Sequence, residues 1–172
     1  MELDELYGPC RPAGAAIHEA ELRLQPLSLT TLSEKTAHIL HELLAFRDRN
    51  KLGRSAVQAM PILWIVLRDG GTRFAVEEVW DVQTGQFIHS LPKGRLGLPD
   101  GRAKLGHPAL LDDDKAARMG GEILFDTGVA TWVITNSSGR YGRREWQTPA
   151  HLEAVAGIFR NLGIYLEPVF DD

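Results

Sequence analysis

His107, Glu122, Ser138 and Tyr141 are the side chains of this sequence best suited to catalysis. Arg140, Ser137, Arg143 and Arg95 are the groups best suited to hold a charged ligand beside them. The first set falls in three short stretches separated by turn-forming residues: His107-Pro108-Ala109-Leu110-Leu111, Gly120-Gly121-Glu122-Ile123 and Asn136-Ser137-Ser138-Gly139-Arg140-Tyr141. Glu122 follows two glycines, which let a ligand approach the backbone closely. A partly desolvated carboxylate at such a position serves as a general base or orients a ribose hydroxyl. His107 is then its acid partner, or accepts a proton from Ser138. Arg140 and Tyr141, with the Ser137 and Ser138 hydroxyls, offer a phosphate a charged fork and hydroxyl donors. Lys93, Arg95, Arg102 and Lys104 add positive charge nearby, so the pattern points to an anionic ligand such as a nucleotide. The four chemistry-bearing residues are expected to meet in one cleft.

A structural reading of the same residues stands beside this one. Asn136-Ser137-Ser138-Gly139 is ordinary turn chemistry, Gly120 and Gly121 relieve strain before a strand, and Glu122 pairs with a loop arginine. The remaining candidates favour structure. His38 and Glu42 share a helix face with His41 nearby, but the order and spacing of a two-histidine zinc motif are missing. Asp112-Asp113-Asp114 lacks the spacing of a calcium loop and reads as a loop or helix cap. Cys10 could pair with His89 or His107 as a protease-like nucleophile, yet no local cysteine signature surrounds it. No metal site and no cofactor follow from these motifs.

The elements that must position these groups change period along the chain. Residues 1–30 carry Pro9, Pro12, Gly14 and Pro26 and read as an arm lying over a body at 31–172. The body begins with a predicted helix over 31–53. A Thr31/Glu34 capping box starts it, Leu32, Thr36, Ile39, Leu40 and Leu43 line one face, and Gly53 stops it. From Pro61 the pattern becomes strand-like. Ile62-Leu63-Trp64-Ile65-Val66-Leu67 reads as a central strand, 73–80 as its return, 86–89 as a third, and 122–125 with 130–135 as a hairpin. Residues 91–106 read as a loop. Thr148, Pro149 and Gly163 bound a last helix whose apolar face is Leu152, Val155, Ala156, Phe159 and Leu162, and 164–170 adds an edge strand. The expected fold is a single α+β domain over 1–172: one mostly antiparallel sheet across 61–141, packed by N-terminal and C-terminal helices.

Composition narrows the class. The chain has 172 residues, 24% of them charged and 44% hydrophobic, values that suit one globular domain. A net charge of -4 gives no strong nucleic-acid signal. One cysteine fits a reducing compartment, no apolar run is long enough for a membrane span, and the acidic N-terminus does not resemble a signal peptide. A cytoplasmic protein is expected.

The histidine followed by small residues and Leu, the Gly-Glu-Ile strand start, and Ser-Gly-Arg-Tyr before a helix ending in Gly-Ile together resemble a known domain over about residues 64–164. It is the Ser-Gly-His-Tyr-type C-terminal domain of bacterial polymorphic toxins and secreted effectors, shared with the plant IQM (IQ-motif) proteins. The departures are Pro108-Ala109 in place of two serines, Arg140 in place of histidine, and an insertion at 91–106. The IQ motif is absent, so calmodulin binding does not carry over. The resemblance implies an effector or toxin-type domain that acts in interbacterial or host conflict on a nucleotide-like ligand or a protein target. The alternative is a non-catalytic immunity or adaptor protein that binds a partner such as a cognate toxin.

Overall fold

The computed structural model describes residues 2–57, 59–92 and 97–172. Lys93 and Arg95, singled out above, lie outside the described residues. In chain order the elements begin with α1 (Leu3–Tyr7), β1 (Arg11–Pro12), α2 (Glu19–Arg23), β2 (Thr30–Thr31), α3 (Ala37–Arg49) and α4 (Lys51–Val57). The strands β3 (Ile62–Val66), β4 (Thr72–Val76), β5 (Glu78–Asp81), β6 (Gln86–Ser90) and β7 (Arg102–Leu105) follow. A 3-10 turn at His107–Leu110 leads to β8 (Ala116–Ala117), β9 (Met119–Asp126), β10 (Thr131–Thr135), α5 (Pro149–Asn161) and β11 (Glu167–Val169).

The α+β class holds, but the sheet is divided. A six-stranded sheet has the order β11-β10-β9-β3-β4-β2, a separate three-stranded sheet the order β6-β5-β7, and β1 pairs with β8. Among the described residues the one parallel pair is β10 with β11. The predicted return strand over 73–80 is two strands, β4 and β5, in different sheets, and Glu77 stands at the break. Part of the predicted loop over 91–106 is also a strand, since β7 pairs with β5.

Side-chain alternation on β3 and β9 sorts the molecule into layers. Residues facing each other across a strand pair share a face, so Leu63 and Glu122 lie on one side, and Trp64 with Gly121 on the other. The Trp64 side meets α3 and α5, which bury Leu40, Leu44, Leu152, Val155, Ala156 and Phe159 against Ile62, Ile123 and Ile134. Burying one such large side chain stabilises the fold by roughly 1.5–3 kcal/mol. The Leu63 side packs Ile65 and Ala75 against Leu110, Leu111, Ala117 and Tyr141. The N-terminal arm covers part of the remaining surface, with Ala20 against Leu105 and Ala109.

The first long helix starts six residues later than the sequence suggests. Thr30 and Thr31 pair with Phe74 and Arg73 as a sheet edge, which suits β-branched residues better than a helix start. The Thr36 hydroxyl then accepts the Ser33 amide at 2.9 Å and donates to the Thr31 carbonyl at 2.6 Å. Ile39 is exposed, while Ala37, Leu40 and Leu44 form the buried face. Gly53 does not end a helix but lies buried within α4. A Cβ there would sit 2.0 Å from the Phe46 carbonyl oxygen, so the glycine permits two helices to meet at the Asn50 corner. The C-terminal helix matches its expected bounds: the Thr148 hydroxyl accepts the His151 amide, Pro149 occupies the first turn, and Gly163 takes a left-handed φ of 78°.

Candidate functional site

Four chain segments converge on the Leu63 side of the six-stranded sheet. Gly120 permits this convergence, though not by admitting a ligand, while Gly121 faces the Trp64 side. A Cβ on Gly120 would lie 3.2 Å from both His107 Cδ2 and Tyr141 Cβ. On Gly121 it would lie 1.8 Å from the Thr135 carbonyl oxygen and 2.8 Å from Trp64 Cζ2. The protein itself fills both spaces: His107 and Tyr141 rest against β9 at Gly120, and the Trp64 ring and the Thr135 carbonyl do so at Gly121 on the other face. Gly142 closes that turn, because a Cβ there would meet the Asn136 carbonyl oxygen at 1.8 Å.

The result is a cavity of about 210 Å³ lined by His107, Glu122, Ser137, Ser138, Arg140 and Arg143, together with Glu77 and Lys104. His107, Glu122 and Ser138 are therefore brought together, and Tyr141 is not. Its hydroxyl donates to the Lys115 carbonyl at 2.8 Å, and burial raises its pKa to about 12. Tyr141 is a core pillar whose amide donates to Ser138 Oγ at 3.2 Å and whose carbonyl accepts from Gly120 and Gln147.

His107 is 8% exposed, and its Nε2 lies 2.9 Å from the Gly121 carbonyl oxygen. A carbonyl only accepts, so Nε2 carries the proton and Nδ1 is the lone-pair nitrogen. Burial lowers the pKa to about 4, with the charges of Lys104 and Arg140 acting the same way against the Gly121 bond. At neutral pH the ring is uncharged, which disfavours the acid role among the two read from the sequence, and so low a pKa leaves Nδ1 a hydrogen-bond acceptor but a weak base. No hydrogen bond joins His107 to Ser138 among the described residues.

The cations are largely engaged. Arg140 pairs with the buried Glu21 at 3.2 Å and donates from Nε to the Ala16 carbonyl at 3.0 Å. Arg143 takes a left-handed φ of 52° and pairs with Asp171 at 2.7 Å, with Ser137 Oγ at 3.5 Å. A non-glycine residue in that region is held at some cost by its surroundings. Asn136, fully buried, supports the same corner: its Nδ2 donates to the Asp171 carbonyl at 2.9 Å and its Oδ1 accepts the Asp171 amide at 2.7 Å.

Glu77 is the site residue that sequence reasoning missed. It is 9% exposed, 3.0 Å from Lys104 Nζ, and its pKa is raised by burial, with Glu122 and Glu21 adding to the rise against the pull of Lys104. Two consecutive glutamates interrupting an apolar strand were the available signal. Glu78 is buried for a different reason: its carboxylate accepts the Leu27 and Ser28 amides at 2.8 and 2.9 Å, the Ser28 hydroxyl at 2.6 Å and Trp80 Nε1 at 2.8 Å.

Outside the cavity, His38, His41 and Glu42 lie on the exposed side of α3. Asp112 is gripped at two oxygens by Arg73, and Asp114 pairs with Arg68. Burial pushes the Cys10 thiol up, away from thiolate reactivity. No group of three or more histidine, cysteine or acidic side chains placed to hold a metal ion occurs among the described residues. No helix there is long and apolar enough to cross a membrane. Comparison with protein-family models, curated proteins and solved structures returns no match for this chain.

Proposed function

We propose that this chain is an effector- or toxin-type domain, acting in interbacterial or host conflict, whose cleft binds an anionic, nucleotide-like ligand. The observation that carries this reading is the meeting of His107, Glu122, Ser137, Ser138 and Arg143 with Glu77 and Lys104 around one cavity. Polar and titratable groups from distant segments that converge on one concavity form a candidate ligand site. Lys104 and Arg143, paired with Glu77 and Asp171, have further N–H donors to share with a phosphate, and the serine hydroxyls supply more. Glu122 orients a ligand hydroxyl or takes its proton, and the neutral His107 offers Nδ1 as an acceptor. The motif resemblance supports the same class.

The test is titration calorimetry with AMP and ADP on the full chain and on Glu122→Ala, run beside a growth assay on induced expression. Saturable binding and growth arrest, both lost in Glu122→Ala, are expected. Absence of binding together with harmless expression would overturn the reading. One observation favours the second reading, a non-catalytic immunity or adaptor protein: Arg140 and Arg143 are already neutralised by Glu21 and Asp171. That reading expects no toxicity and stable copurification with the product of a neighbouring gene.

A further inference from the structure

We infer that the Arg140 guanidinium and the Gly106 amide form an oxyanion site that Glu21 of the N-terminal arm fills in cis, and that its external ligand is a phosphate or carboxylate group. The inference rests on the anion-cleft reading and adds the atoms that grip the anion. Glu21 is 1% exposed. Its Oε1 accepts the Gly106 amide at 3.0 Å and Arg140 Nη1 at 3.4 Å. Its Oε2 lies 3.2 Å from Arg140 Nη2 and accepts the His18 amide at 3.1 Å. A guanidinium fork joined to a backbone N–H recognises a carboxylate and a phosphate by the same hydrogen bonds. Gly106 lets the anion rest against the main chain, since a Cβ there would lie 2.9 Å from Glu21 Oε1.

Arg140, which the carboxylate holds, borders two spaces, while Glu21 itself lines only the larger one. On one side is the cavity of about 210 Å³ described above; on the other is one of about 540 Å³ bounded by His18 and Glu19 of the arm and by Val82, Leu98 and Arg102. Arg140 and Lys104 line both. Arg140 and Lys104 are thus reachable from either space, and the Glu21 carboxylate occupies the Arg140 fork at the wall of the larger one. The element bearing Glu21 is suited to withdraw. The helix α2 has five residues, too few for independent stability, and this part of the arm is tied to the turn partly through Arg140: Gly14 N–H donates to its carbonyl at 2.9 Å and Arg140 Nε donates to Ala16. Exchanging one anion for another keeps the Arg140 charge compensated, whereas simple removal would not.

The experiment is a heteronuclear NMR titration of the full chain with inorganic phosphate and, separately, with acetate, following the Gly106 amide and the Arg140 Nε–H. In Glu21→Gln both signals shift saturably at ~tenfold lower anion concentration than in the wild type, because the competing carboxylate is gone. The response disappears in Glu21→Gln/Arg140→Ala. Whichever anion saturates first identifies the ligand's end group. Equal responses in wild type and Glu21→Gln, or none at Gly106, would overturn the site. Glu21→Ala, which also removes the carboxylate, gives the same comparison should the glutamine variant fail to fold. AMP binding that depends on Glu122 but is indifferent to Glu21→Gln would reject cis occupancy and leave the cleft reading standing. A Gly106 response without any nucleotide binding would do the reverse.

Discussion

The imidazole of His107 donates from Nε2 to the carbonyl of Gly121, at 2.9 Å, across the start of β9. That bond fixes the ring on the sheet and leaves Nδ1 as its only acceptor. Because the native pKa is lowered from 6.5 to about 4, the folded chain resists a proton that the unfolded chain takes up. Stability is therefore complete above about pH 6.5 and is lost as the pH falls toward 4, by roughly 3 kcal/mol in all. Urea midpoints measured across that range should fall in the wild type and flatten in His107→Gln. Parallel curves for the two proteins would show that another group controls the acid transition.

Glu77 should have the opposite sign. Its carboxyl is held above the ordinary range by burial, so ionising it costs the folded state stability as the pH rises. Glu77→Gln should raise Tm at neutral pH, with the gain vanishing below the usual carboxylate range. The Lys104 partner is half exposed and loses little. A lower Tm in Glu77→Gln at neutral pH would mean that the ion pair outweighs burial.

Substitution at two glycines should separate close approach from ordinary turn chemistry. Gly121→Ala drives a methyl into the Thr135 carbonyl and should destabilise by about 3 kcal/mol or more. Gly139→Ala meets nothing within 4 Å and should change stability by no more than about 0.5 kcal/mol. Thermal denaturation of both variants checks the contrast, and equal effects would contradict it.

Glu78 secures the arm to the three-stranded sheet. Glu78→Ala leaves the Leu27 and Ser28 amides and Trp80 Nε1 without their acceptor, at a cost of about 2–4 kcal/mol. Hydrogen exchange at the Leu27 and Ser28 amides should quicken far more than exchange in β3. Uniform acceleration across the chain would mean global destabilisation instead of a loosened arm.

The helices and strands with strong periodicity were legible in the sequence. Thr148, Pro149 and Gly163 bounded α5, and the unbroken apolar run at Ile62 marked a central strand buried on both faces. The division into two sheets was less visible, because it turns on Glu77 and Glu78, whose burial depends on Lys104 and on arm residues far away in sequence. The start of α3 was misread because Thr31 satisfies a capping-box pattern while β4 claims it as a strand partner. At the site, the approach of Glu122 and Ser138 was legible from the hairpin between them and that of His107 from its place after the long loop, whereas Tyr141, expected in the same cleft, is in the core. The engagement of Arg140 was not, since Glu21 lies in a segment with no local feature that points to it.

The placement of β3 also bears on how the chain is made. This strand is apolar along its whole length and pairs with β9 through Leu63 and Glu122, roughly 60 residues apart. At ribosomal speeds of about 5–20 residues per second, one edge of β3 waits several seconds for its partner to emerge. During that interval its open amides and carbonyls form a template for any other extended chain. Crowding of nascent chains is therefore expected to favour such intermolecular pairing before β9 is made. Slower initiation or a holding chaperone should improve recovery without altering the stability of the native state.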